Sequence, residues 1–129
     1  MKVLALDFGR ARTGVAVSDP SGTIARPLEI VERAGSEAGL ARLAELVREE
    51  EAERVVVGLP LTLRGERGEQ ARETEAFVEQ LRAVVSVPVE SYDERFTKRL
   101  AQTVPGPDDA RAAAHLLSSY LEWSSAAKE

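Results

Sequence analysis

Lys2-Val3-Leu4-Ala5-Leu6-Asp7-Phe8-Gly9 decides how the rest of the chain is read. An unbroken apolar run ends in an acid, and an aromatic residue and a glycine follow at once. Such a run, bounded by a turn signal, predicts a strand covered on both faces. The carboxylate of Asp7 then stands at a strand end, where losing water is costly unless something positive meets it. Gly9 begins a turn, and Arg10-Ala11-Arg12 is short enough for a hairpin connection. Thr13-Gly14-Val15-Ala16-Val17-Ser18-Asp19 then lies antiparallel beside the first strand. Taken alone, Asp7 reads equally as a loop residue that accepts backbone N–H bonds.

The pattern extends outward from that hairpin. Pro20-Ser21-Gly22 is a second tight turn, and Thr23 to Glu32 is a third strand that alternates from Leu28. Pro27 removes a ladder donor, which suits a sheet edge. Ser36 is an N-cap for a helix over about Glu37–Glu51, with Leu40, Leu43, Ala44 and Val47 at helical spacing. Arg54 to Pro60 is a second fully apolar strand, so the strand–helix–strand order across residues 28–60 requires a crossover. A helix from about Glu69 to Ala83 carries the stripe Ala71, Thr74, Phe77, Val78 and Leu81. Val87 to Asp93 is the fifth strand. A last helix follows Pro105-Gly106-Pro107 and runs from about Asp108 to Trp123, with a frayed polar tail beyond. The order βββαβαβα predicts an α/β fold of ribonuclease H-like architecture in one domain over 1–129. Its sheet is mixed and five-stranded, in order 3-2-1-4-5 with strand 2 antiparallel, and helices cover both faces.

At 129 residues and 43% hydrophobic, the chain is long enough for one domain with a core. The absence of cysteine removes disulfides, thiolate metal sites and cysteine nucleophiles, and suits a reducing cytoplasm. The start has neither a signal-peptide pattern nor a membrane-length apolar run, so a cytoplasmic protein without membrane contact is expected. A net charge of −5 argues against nonspecific coating of nucleic acid, although a nuclease that collects metal ions must itself carry acids.

The predicted layout makes strands one, four and five neighbours, so their ends share one edge. Asp7 then lies near Asp93 and Glu94 at the end of strand five, and the last helix brings Asp108 and Asp109. Carboxylates gathered from separate segments repel unless hard cations sit between them, and Mg²⁺ or Mn²⁺ is the economical solution. Two such ions roughly 3.5–4 Å apart clamp both the attacking and the leaving oxygen of a phosphodiester. Each acid also has an ordinary reading, a surface ion pair for Asp93-Glu94-Arg95 and helix capping for Asp108-Asp109.

Asp7-Phe8-Gly9 followed by Arg12-Thr13-Gly14-Val15-Ala16-Val17-Ser18-Asp19 resembles the opening motif of the YqgF family. That family is described in terms of Holliday-junction resolution and nuclease processing of the 5′ end of pre-16S rRNA. Val56-Val57-Gly58-Leu59-Pro60-Leu61, Asp93-Glu94-Arg95-Phe96-Thr97, and Asp109 ahead of Ala112-Ala113 and Leu117-Ser118-Ser119-Tyr120-Leu121 follow in family order. The resemblance implies a metal-dependent endonuclease for structured nucleic acid, either an rRNA precursor or branched DNA. It implies Asp7 as the acid bridging both metals, Glu94 with Asp93 as alternate, and Asp109 rather than Asp108, which is left as an N-cap. Arg10, Arg12 and Arg95 become contacts for the nucleic-acid backbone, Arg95 being equally suited to an ion pair with a neighbouring acid.

The chain departs from the family pattern between Thr97 and Asp109, where a longer basic segment is usual and only Lys98 and Arg99 remain. Arg64, Arg67 and Arg72 are the arginines positioned to compensate. His115 is turned away from the Asp109 face and reads as structural. Leu59, Leu61 and Leu63 are too apolar for open solvent, which suggests a partner or a homodimer. Two rival readings stand beside the nuclease: a noncatalytic scaffold for ribosome assembly or transcription, and half of an ATP-binding protein like actin or the sugar kinases. The second lacks a further phosphate motif and a partner domain.

Overall fold

The computed structural model describes residues 1–60, 68–93 and 109–127. Five strands, β1 (Val3–Asp7), β2 (Arg12–Ser18), β3 (Ala25–Glu32), β4 (Arg54–Leu59) and β5 (Val89–Asp93), form one sheet in the order β3-β2-β1-β4-β5. β2 is antiparallel to β1 and β3, whereas β1, β4 and β5 run parallel. The helices among the described residues are α1 (Glu37–Glu49), α2 (Glu69–Arg82) and α3 (Asp109–Ala127). This is the expected mixed sheet with its hairpin first and its crossovers after.

Alternation along the strands divides the interior between the two faces. Leu4, Leu6, Val55, Val57 and Val89 pack on Leu43 and Leu46 of α1 and Phe77 and Leu81 of α2. Val3, Ala5, Val56 and Tyr92 pack on Ala113, Leu116, Leu117 and Tyr120 of α3. Because β1 is covered on both faces, every residue from Val3 to Leu6 is buried. Pro27 lies in β3 at the sheet edge, and the β2–β3 register jumps from Val15–Glu29 to Ala16–Pro27, so Leu28 is a bulge.

Ser36 caps α1, its Oγ accepting the Gly39 N–H at 3.0 Å. The sequence-based ends shift by a few residues at several places. α1 stops at Glu49 rather than Glu51, and Glu51 takes φ +54°, which ends the helix without a glycine. α2 stops at Arg82. β5 starts at Val89, after Pro88, whose carbonyl accepts the Val55 N–H. α3 continues to Ala127 past the expected stop at Trp123, whose ring packs on Tyr92 and Tyr120 at 6.0 and 5.9 Å. Among the described residues, no helix is long and apolar enough to cross a membrane.

Candidate active site

The parallel strands β1, β4 and β5 bring their carboxyl ends to one edge. Asp7 is the last residue of β1 and shares the face of Val3 and Ala5, the face covered by α3. It pairs with Gly14 of β2, and the step beyond the last β1–β4 pair, Leu6–Val57, is Gly58. Glycine therefore flanks the half-buried carboxylate on both sides, leaving no side chain between Asp7 and its neighbouring strands.

The turn after Asp7 is pinned to α2. The ring of Phe8 stacks on Phe77 with centroids 4.3 Å apart and planes within 16°. The hydroxyl oxygen of the buried Thr13 accepts the Gly9 N–H at 3.4 Å. These contacts fix the turn that follows the carboxylate. An open cleft of about 470 Å³ lies between this turn and the start of α2, with Asp7, Pro60, Thr74 and Arg10 in its lining.

Arg10 is exposed, and its guanidinium is engaged by two acids of α2. Its Nε donates to Glu73 Oε2 at 2.8 Å, a second N–H donates to Glu73 Oε1, and Glu69 Oε1 lies 3.7 Å away. The Glu73 hydrogen bond raises the Arg10 pKa and holds the Glu73 carboxyl below its ordinary value. Arg12, at the start of β2, is also exposed.

Asp93 closes β5 in register with Leu59. By alternation it shares the face of Val89, which packs against α2, and so lies on the opposite side of the sheet from Asp7. Glu94, Arg95 and Asp108 lie outside the described residues, as do Leu61, Leu63, Arg64 and Arg67. Asp109 is the first residue of α3. Tyr120 of that helix accepts from Arg54 at 2.9 Å and donates to Glu90, so this end of α3 sits over the amino ends of β4 and β5. From Tyr120 back to Asp109 the helix spans about 16 Å, against about 13 Å from Arg54 to Gly58, which suffices to reach the carboxyl edge. Arg72 is exposed on α2 and Leu59 is half-buried. His115 is partly buried with Nε2 unpartnered among the described residues, away from the α3 face that packs on the sheet.

Two parts of this site were not read from the sequence. Gly14 and Gly58 sit inside otherwise apolar strands, and an isolated strand glycine is itself a signal of close approach. Glu73 carried no such mark, because its partner Arg10 is distant in sequence and only the fold joins them.

This sheet order, with an acid closing the central strand, defines the ribonuclease H-like class. The solved structure of Thermus thermophilus RuvC in complex with a Holliday junction substrate superposes with a TM-score of 0.73, covering 98% of this chain and 96% of that one at 20% identity. At that identity the likeness is one of fold. The chain belongs to the RuvX family, described as Holliday junction resolvase, whose model matches residues 1–123; this is the YqgF family of the sequence motifs. It is thus a member of a nuclease family. A Chloroflexus aggregans protein is 48% identical over 93% of this chain and 92% of its own length. A Desulforudis audaxviator protein is 43% identical over 94% of each. One from Syntrophomonas wolfei is 35% identical over 100% of this chain and 99% of its own. All three are named "Putative pre-16S rRNA nuclease".

Proposed function

We propose that this chain is a divalent-metal-dependent endonuclease that hydrolyses phosphodiester bonds in structured nucleic acid, with Asp7, Glu94 and Asp109 as its carboxylate set. The observation that carries the reading is Asp7, a half-buried carboxylate at the end of the central strand, flanked by Gly14 and Gly58 and facing α3. The glycines leave room beside it for a hard cation and for a phosphate oxygen. A donor set of carboxylates alone suits Mg²⁺ or Mn²⁺ over softer metals. Among the described residues no three acids or histidines are placed to hold a metal ion, and the reading draws the partners of Asp7 from Glu94 and Asp109. Asp93 ends β5 on the face that turns to α2, away from Asp7, and this favours Glu94 as the ligand.

When bound, the cations neutralise charge on the phosphate and lower the pKa of water. The chain itself holds Asp7 at a fixed height through the β-ladder and the Phe8–Phe77 stack. Arg10, Arg12 and Arg95 meet backbone phosphates, for which the guanidinium fork is shaped. The relatives' names favour precursor 16S rRNA as the substrate, and the cytoplasm is the compartment that goes with this reading. The family description supports a second reading, a four-way DNA junction cut by a two-fold homodimer with paired sites.

The test is cleavage of a 5′-extended 16S rRNA precursor and of a four-way junction with Mg²⁺, Mn²⁺ or EDTA. The reading expects endonucleolytic products from at least one substrate with metal and none in EDTA. Binding without cleavage under every condition would instead support a scaffold.

A further inference from the structure

The cleft beside Asp7 contains an arginine whose anion-binding edge is already taken. Arg10 presents Nε and a neighbouring N–H in parallel to the two oxygens of Glu73. This is the geometry in which a guanidinium receives a phosphate. Glu73 projects from α2 and Arg10 from the β1–β2 turn, and the Phe8–Phe77 stack joins the same two segments. The pair is therefore held at the cleft and does not drift over the surface. Its side chains are 74% and 30% exposed, so water screens the attraction and exchange for another anion costs little.

We propose that Glu73 is a built-in competitor for phosphate, occupying the fork of Arg10 until an anchored substrate displaces it. A carboxylate and a phosphate diester each satisfy the same pair of donors, so swapping one for the other is close to neutral for a phosphate arriving alone. A substrate already held elsewhere on the site delivers its phosphate at high effective concentration and wins the exchange. Glu69, 3.7 Å from the same guanidinium, adds negative charge that a weakly held phosphate must also overcome. The consequence is discrimination: plain duplex gains little from Arg10, whereas a branched or folded substrate gains a full contact. This consequence rests on the nuclease reading, but the competition at the fork does not.

The experiment has two arms using the full chain, wild type and Glu73→Gln, with Glu73→Ala as a second variant and circular dichroism to check folding. In the first, the Arg10 Nε–H resonance is followed by ¹⁵N NMR while inorganic phosphate is added. Saturation at a phosphate concentration at least fivefold lower in the variants is expected, and identical titrations would overturn the proposal. In the second, anisotropy measures binding of a four-way junction and a linear duplex in EDTA across a range of KCl. Glu73→Gln should tighten duplex binding 3–10-fold, narrow the junction-to-duplex ratio, and steepen the salt dependence by about one phosphate contact. Adding Arg10→Gln should abolish the gain. Weaker binding in Glu73→Gln would make Glu73 a positioning residue and overturn the proposal. If no protein binds nucleic acid while the phosphate arm behaves as expected, the nuclease reading fails and the competition stands.

Discussion

The Phe8–Phe77 stack ties the turn after Asp7 to α2, and replacing each ring by leucine tests that tie. Phe77 is only 1% exposed, and its ring lies on Phe8 at 4.3 Å with planes nearly parallel. Leucine keeps most of the apolar area, so each single change costs a modest repacking term, about 1.5 kcal/mol or less. Each also forfeits the ring–ring attraction, about 0.5–1.5 kcal/mol beyond burial. The double variant forfeits that attraction only once. A cycle over Phe8→Leu, Phe77→Leu and both together should therefore show a coupling of about 1 kcal/mol in urea unfolding at unchanged m-value. The loosened turn should also slow cleavage about tenfold or more, since small displacements of a catalytic group are costly. A coupling under about 0.3 kcal/mol, the ordinary scatter of additive pairs, would refute the idea that the stack holds the turn.

Gly39→Ala should destabilise the fold by roughly 1–3 kcal/mol, reversing the gain usual for this change in a helix, because the new Cβ would lie 2.2 Å from the Arg33 carbonyl oxygen; a higher melting temperature would contradict the crowding. Asp19 accepts from the Ile24 and Thr23 N–H groups at 2.9 and 2.8 Å and from the Ser21 hydroxyl, and these bonds pull its pKa down to about 2. The depressed pKa makes its contribution fully present above about pH 4 and lost as pH falls towards 2. Asp19→Asn should thus flatten the decline of the urea midpoint across that window, and parallel curves for variant and wild type would rule the linkage out. Glu94→Gln should abolish cleavage with the fold intact while Asp93→Asn keeps measurable activity; the reverse pattern would reassign the ligand to Asp93.

The sheet was legible because its strands announce themselves. Val3 to Leu6 and Val55 to Val57 are apolar on both faces, as strands covered by helices on both sides are, and Pro27 marks an edge. The helical stripe of α2 matched residue for residue, since Ala71, Thr74, Phe77, Val78 and Leu81 are all buried. Element ends were less legible because they depend on contacts the pattern does not encode. Glu51 adopts a left-handed φ that no glycine advertises, and α3 continues past Trp123, whose ring packs on Tyr92 and Tyr120. The place of Asp7 at the end of the first strand was legible because the apolar run stops there. The sidedness of Asp93 required the register of β5 against β4, and the capture of Arg10 by Glu73 required α2 to be set against the first turn.

The central claim is that Asp7 supplies a metal-binding carboxylate to phosphodiester hydrolysis. Its most direct test is the single-turnover cleavage rate of Asp7→Asn against wild type at saturating Mg²⁺ or Mn²⁺, on whichever substrate the wild type cuts. Asparagine keeps the shape and removes the charge, so folding should persist by circular dichroism while the rate falls on the order of 10²-fold or more. A folded Asp7→Asn protein that cleaves at the wild-type rate would contradict the account.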